Sequence, residues 1–274
     1  MPYDPTLYQG AAANYARGRP PYSAVLVPTL ETELGLDGSG RLLDVGCGPG
    51  SLTVELAGTF DEAVGLDPDG DMLAEGMRRA RDAGIENVRW VRALAEDIPQ
   101  LDLGTFRLVT FGQSFQWTDR ERVAEAVYDI VEPRGALALI VHAHEGRPVP
   151  SGPGYPLIPH DEIHELIRRY LGPRRRAGQG FRTEPPDRYE DALARTRFGA
   201  PRSVFAPGRP DIIRDADRVV AGFFSTSFAA PHLFGDRRGA FEADLRALLD
   251  ARSPGGLFWD WPGDTEIMLA RKPA

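Results

Sequence analysis

The chain has 274 residues, 42% hydrophobic and 26% charged, a balance typical of a globular protein and a length that fits one α/β domain with an elaborated cap. Its formal net charge of -8 argues against a broad nucleic-acid-binding surface. The single cysteine, Cys47, excludes an intramolecular disulfide and a zinc site built of cysteines.

The N-terminus carries no basic region followed by an apolar run, and no apolar stretch approaches the roughly 20 residues that span a bilayer. The expectation is a cytoplasmic protein with no membrane or nucleic-acid partner. Apolar residues at helical spacing predict a helix over 22–34. A short apolar run over 42–45 reads as a buried strand and leads into a glycine-rich turn. Leu52 and Leu56 sit four apart on the helix that follows. A second strand is expected over 63–66. Asp69 can cap a helix carrying Met72, Leu73, Gly76, Met77 and Ala80, and Gly84 can end it. Strands follow over 88–91 and 106–111.

Asp119 is placed to cap another helix, with Val123, Ala126, Val127, Ile130 and Val131 on one face. Pro133 and Gly135 mark the turn out of it. The run 136–141 is almost continuously apolar and reads as a strand buried on both faces. Strands alternating with helices imply a doubly wound, mostly parallel sheet with helices on both faces. Beyond His144 the pattern loosens. Residues 145–160 are rich in Gly and Pro, 161–171 reads as a short helix, and periodicity is weak to about residue 200. Helices are expected over 215–224 and 241–249, and a closing strand over 265–270. This divides the chain into an N-terminal helical segment (1–40), a core (41–144), a loop and helix cap inserted before the sheet closes (145–215), and C-terminal helices with the closing strand (216–274).

The strongest chemical signal is the run LLDVGCGPG at 42–50: a strand, an acid, then glycines at alternate positions before a helix. Such glycines make a tight turn and let a ligand approach the backbone. In an open α/β sheet this turn lies at the carboxyl ends of the strands, where ligands bind. The spacing is G-x-G-x-G, whereas a dinucleotide fingerprint reads G-x-G-x-x-G. Asp44, near the turn, suits a ligand ammonium group rather than a pyrophosphate. Asp67 ends the second strand 67 - 46 = 21 residues after Gly46, about where an acid that binds ribose hydroxyls is expected. A nicotinamide-dependent oxidoreductase or epimerase is the weaker enzyme reading, since the glycine spacing opposes it and no Tyr-x-x-x-Lys pair is present.

These runs, LLDVGCGPG and VGLDPD, resemble the nucleoside-binding motifs of class I S-adenosylmethionine-dependent methyltransferases. The segments AEDIP at 95–99, FRLVT at 106–110 and QSFQW at 113–117 are similar to later motifs of that family. YARGRPPY at 15–22 resembles the N-terminal segment of its trans-aconitate methyltransferase-like branch, where it folds over the cofactor. The resemblance implies a Rossmann-like sheet of seven strands and S-adenosyl-L-methionine as cofactor. It also implies methyl transfer to an O, N or C nucleophile of a small molecule, with S-adenosyl-L-homocysteine as product. Carried over by position, Gly46, Gly48 and Gly50 surround the methionine portion with Asp44 near its amino group. Asp67 takes the ribose, and Met72, Ala95 and Glu96 lie at the adenine. Pro68, Gln113, Tyr15 and Arg19 complete the cofactor set.

Two departures stand out: Arg107 replaces an acid at the start of the fourth strand, where it is expected to alter surface charge only, and Gln116 replaces a histidine. Histidine titrates near neutrality, so His144 and His142, which follow the fifth strand, are the candidate catalytic bases. Either is also readable as a loop or strand histidine. Gln116, Trp117, Trp259 and Trp261 are the candidate substrate contacts. No metal site is expected. His160, His164 and His232 read as surface or cap residues. The basic run Arg168, Arg169, Arg174, Arg175 and Arg176 reads either as a solvated helix end and loop or as a contact for an anionic substrate or partner. A cofactor-binding protein of the same fold that transfers no methyl is the alternative to an enzyme.

Overall fold

The computed structural model describes residues 4–143, 149–182 and 187–274. Seven strands form its central sheet: β1 Arg41–Val45, β2 Glu62–Asp67, β3 Val88–Arg92, β4 Phe106–Gly112, β5 Val131–Ala143, β6 Arg202–Ala206 and β7 Asp264–Arg271. Their spatial order is β3-β2-β1-β4-β5-β7-β6. The first five run parallel. Strand β7 lies antiparallel between β5 and β6. The order reverses between β1 and β4, which opens a crevice at the carboxyl ends of those strands.

Nine α-helices accompany the described strands: α1 Ala12–Gly18, α2 Leu26–Leu34, α3 Ser51–Leu56, α4 Gly70–Asp82, α5 Arg120–Ile130, α6 His160–Leu171, α7 Tyr189–Ala194, α8 Ala216–Phe224 and α9 Arg238–Arg252. The two capping acids act as expected. Asp69 accepts hydrogen bonds from the backbone N–H groups of Asp71 and Met72, and Asp119 accepts from that of Arg122, satisfying donors that a helix start leaves free.

Side chains alternate across the sheet, as the period of two in a strand requires. Leu42, Ala63 and Leu108 face α2 and α3, packing with Leu26, Leu30 and Leu56. Leu43, Val64 and Val109 face the other way, with Val123 and Val127 of α5. A third cluster is separate from both. It joins α6, α8 and α9 through Ile163, Leu166, Val220, Phe224, Phe241 and Leu245, and it lies between β5 and β7 in the chain. This is the cap. Two short antiparallel pairs belong to the same region: Ile213–Asp215 with Leu257–Trp259 across α8 and α9, and the hairpin Arg176–Ala177 with Gly180–Phe181. Among the described residues no helix is long and apolar enough to cross a membrane.

Several expectations are corrected. Helix α2 starts at Leu26 rather than Tyr22, because Ser23 is bonded away from the helix, its N–H to Thr265 Oγ1 and its hydroxyl to the Pro207 carbonyl. Met77 is 44% exposed and lies off the buried face of α4. Pro133 and Gly135 do not separate helix from strand. Strand β5 already begins at Val131, with a register shift against β4 and Arg134 at φ 66°. The weakly periodic stretch before residue 200 contains α7, and just beyond it β6 forms an edge of the main sheet, so residues 202–206 of the expected cap are core sheet. Arg107 does more than alter surface charge. It donates to the Asp37 carboxylate, the Gly35 carbonyl and Ser39 Oγ, tying down the loop between α2 and β1.

Candidate active site

The turn after β1 is held by backbone bonds from the Gly46 and Cys47 N–H groups to the Leu66 carbonyl, at 2.7 and 3.1 Å. Gly46 and Gly48 have φ of 65° and 54°, the left-handed region that favours glycine. They serve different ends. A Cβ on Gly46 would lie 2.5 Å from Ser114 Cβ, whereas one on Gly48 would meet nothing within 4 Å. Gly46 therefore allows the β4 loop to close on the turn, where Ser114 Oγ donates to the Val45 carbonyl at 2.6 Å. Gly48 leaves open space beside the backbone.

That space belongs to a cavity of about 450 Å³ at the crevice, within the usual range for small-molecule sites. Val45, Gly46 and Gly48 form its β1 side, and Leu66, Asp67, Pro68, Asp69 and Met72 its β2 side. Leu94, Ala95 and Glu96 form another wall, with Gly112, Gln113, Ser114 and Trp117 after β4. The N-terminal segment contributes Leu7, Tyr8 and Tyr15. Tyr8 meets both Tyr15 and Trp117 edge to face at 6.2 Å. Gln113 holds φ 58°, an uncommon conformation for a residue with a side chain and one that clusters at functional sites.

Asp67 is 8% exposed. Its Oδ2 accepts from the Gly48 N–H at 2.8 Å and its Oδ1 from the Asp69 N–H at 2.9 Å. Each oxygen keeps acceptor capacity toward the cavity. Burial pushes its pKa up to about 6, against the two backbone donors, which lower it. The other ionisable lining groups are Asp69, Glu96 and Asp119 against one cation, Arg122. The cavity is thus acidic and aromatic. It suits a ligand with hydroxyl donors and a cationic centre, and it opposes a pyrophosphate. The carboxylate acceptors and the open space at Gly48 both fit the nucleoside and sulfonium of S-adenosyl-L-methionine.

Ten of the expected contacts line this cavity: Gly46, Gly48, Asp67, Pro68, Met72, Ala95, Glu96, Gln113, Tyr15 and Trp117. Six described candidates do not, besides His142. Asp44 lies beneath the turn, 1% exposed, with its oxygens taken by the hydroxyls of Thr53 at 2.6 Å and Thr110 at 2.8 Å. Burial pushes its pKa to about 6. It braces β1 against β4 and α3 and does not line the cavity. Gly50 immediately precedes α3, and a Cβ there would lie 2.6 Å from the Trp90 ring. Gly65 and Gly76 press on the same indole, with built Cβ positions at 2.8 and 2.7 Å, so Trp90 is wedged among three glycines.

Arg19 stacks its guanidinium 4.7 Å from the Tyr15 ring centre and donates to the Ser225 carbonyl at 3.0 Å, so it supports the cavity wall from behind. Gln116 bridges to α7, accepting from the Tyr189 hydroxyl at 3.1 Å. Trp259 is buried in the cap, with its N–H on the Pro210 carbonyl at 2.8 Å, and Trp261 stacks on it. The two tryptophans are cap structure, remote from the cavity lining. His142 stacks on Tyr22 at 5.0 Å and does not line the cavity. His144 lies outside the described residues.

Tyr8, Asp69, Asp119 and Arg122 line the cavity without having been singled out as ligand contacts. Asp69 and Asp119 were legible only as helix caps. Tyr8 carried a weak signal, an aromatic residue shortly before YARGRPPY. Glu96 shows how the pieces join, since its Oε1 accepts the Asp119 N–H at 2.8 Å and links the wall at 94–96 to the start of α5.

Residues 42–135 match the methyltransferase domain family. The chain is 27% identical over 129 residues to a probable S-adenosylmethionine-dependent methyltransferase of Saccharomyces cerevisiae, covering 46% of this chain and 44% of that protein. It is 33% identical over 107 residues to a trans-aconitate 2-methyltransferase of Deinococcus radiodurans, covering 38% of each. The chain spans about half or less of the length of these relatives. Over nearly the whole chain, the fold resembles a putative type II methyltransferase from Anaeromyxobacter dehalogenans, with TM-score 0.55, 19% identity and coverage of 93% and 99%. It also resembles the YcgJ protein of Bacillus subtilis, with TM-score 0.52, 15% identity and coverage of 90% and 98%. The glycine turn, the acid that ends β2 and the walls at 94–96 and 112–117 all lie within residues 42–135, the stretch that matches the methyltransferase domain family.

Proposed function

We propose that the chain is an S-adenosyl-L-methionine-dependent methyltransferase acting on a small molecule. The observation that carries this is the acidic, aromatic-walled cavity over a G-x-G-x-G turn, with Asp67 presenting acceptor capacity at its floor. When bound, the cofactor supplies a methyl group already activated by a sulfonium. What the chain must add is placement, and orienting reactants supplies roughly 7–11 kcal/mol of a barrier. Gly48 leaves the backbone uncovered for the methionine portion. Asp67 holds hydroxyl donors, and Met72, Leu94 and Ala95 offer apolar contact to a planar base. Tyr8, Tyr15 and Trp117 exclude water from the side facing the cap and favour a cationic centre.

The acceptor is an O, N or C nucleophile that reaches the cavity beside Gln113 and Trp117. His142 is not placed to act on it directly: its ring is stacked on Tyr22 outside the cavity. Calorimetric titration with S-adenosyl-L-homocysteine, with NAD as control, tests the reading. Micromolar binding of the first alone is expected. Binding of NAD alone would make the turn a dehydrogenase site. Formation of S-adenosyl-L-homocysteine with some acceptor separates an enzyme from a binder that transfers nothing.

A further inference from the structure

A second cavity, of about 170 Å³, opens where α6 ends. Its lining includes His164, Arg168, Arg174, Arg175, Arg176 and Phe228, and it shares no residue with the cavity over the glycine turn. In a chain of net charge -8, four guanidinium groups within nine residues of sequence surround one small space.

Most of these arginines are held by rings. Arg174 lies 4.0 Å and Arg176 4.9 Å from the centre of the Phe181 ring, and Arg175 lies 4.3 Å from that of Phe228. A guanidinium stacked on a ring keeps its plane fixed while its N–H donors stay at the edge. Arg176 Nε is buried without a hydrogen-bond partner among the described residues, a donor that a native interior ordinarily satisfies. Arg168 is bound to Glu165 at 2.6 Å, an exposed pair that costs little to rearrange. The carbonyl end of α6 accounts for a cation in its last turn, which explains Arg168 but not Arg174 or Arg176.

We propose that this cavity is a site for a small polyvalent oxyanion of the phosphate or pyrophosphate type. Planar forks carrying several N–H donors match the oxygens of such groups, and Phe228 gives the ligand an apolar wall. The site stands apart from the methyl-transfer reading and does not depend on it. It also has a path to the first cavity. The hairpin that carries Arg176 bonds to the N-terminal segment, where the Gln179 N–H donates to Asp4 Oδ2 at 2.8 Å, a few residues before Leu7 and Tyr8 of the cavity wall.

The test is calorimetric titration of the full chain with inorganic pyrophosphate at constant ionic strength, with sulfate as the competing control. One saturable site is expected. Arg174→Gln and Arg176→Gln should each weaken it about tenfold, the scale of one charged hydrogen bond. Circular dichroism melts of both variants should match the parent. Arg174 is exposed, so its variant remains informative even if Arg176→Gln disturbs folding. Absence of saturable binding, equal affinity in the parent and Arg174→Gln, or equal affinity for sulfate and pyrophosphate would each overturn the proposal.

Discussion

The sheet half and the cap bury different things. Beneath the glycine turn the molecule buries polar groups and satisfies them: Asp44 with two threonine hydroxyls, Asp67 with two backbone N–H groups. The cap buries rings. Phe234 stacks on Phe241 at 4.0 Å, and Phe224 meets both edge to face. A buried ion pair among its described residues, Arg214 with Asp260 at 2.9 Å, faces the N-terminal segment, where Arg214 also donates to the Gly18 carbonyl. Gly18 in turn packs against Gly222 of α8 so closely that a Cβ would lie 2.2 Å from its nitrogen. The half that carries the main cavity holds desolvated acids, while the other half supplies packing. The wall formed by Tyr8 and Tyr15 is fastened to the packing half.

If that division is real, damage to the cap should remove stability and spare recognition. Phe241→Ala should cost about 3–5 kcal/mol in chemical denaturation while the folded fraction binds S-adenosyl-L-homocysteine as before. A large loss of affinity in the folded protein would join the two halves. A pH series tests the acids. Burial holds Asp44 and Asp67 near pKa 6 in the folded chain against an ordinary value of 3.8. Between those values the folded state holds protons that the unfolded state has released, so stability falls as pH rises through that window and levels off above about 6. The expected loss is on the order of a few kcal/mol, read from denaturation midpoints at pH 4 and pH 7. Asp44→Asn should flatten the profile.

Asp67→Ala should weaken S-adenosyl-L-homocysteine binding about tenfold or more. It should also cost about 1–3 kcal/mol of stability, because the Gly48 and Asp69 N–H groups lose their acceptor. Unchanged affinity would remove Asp67 from the ribose role. The smallest effect on folding is expected at Gly48. Gly48→Ala meets no neighbour and should cost only about 1–2 kcal/mol for its left-handed backbone, yet weaken the ligand by occupying its space. Calorimetry and denaturation on the same samples separate the two terms.

The sequence showed the sheet half more clearly than the cap. In the sheet half one signal repeats, an apolar strand followed by a turn and a helix, and strands β1 to β4 fall within a residue of expectation, while β5 starts at Val131 rather than Ala136. Strand β6 was hidden because it is an edge strand carrying mostly exposed residues, so it shows no apolar run. The site was legible where backbone chemistry dictates residue type, as at Gly46, Gly48 and Asp67. It was misleading where one residue type serves two purposes. Asp44 and Gly50 share a motif with true cavity residues, yet one braces strands and the other admits an indole. Trp259 and Trp261 read as pocket residues because Gly and Pro flank them, but Gly152 and Gly208 are there to let the rings pack.

The Trp90 wedge constrains how this chain can change. Gly50, Gly65 and Gly76 come from the glycine turn, β2 and α4, yet all three meet one side chain. None of them can gain even a methyl group while the indole stays, and the indole cannot shrink without opening a void that all three border. The four positions are therefore one inherited unit. Among homologues, a smaller residue at position 90 should travel with larger residues at the glycines, and a drift in the loop that holds the ligand is answerable to a residue on the far side of β2.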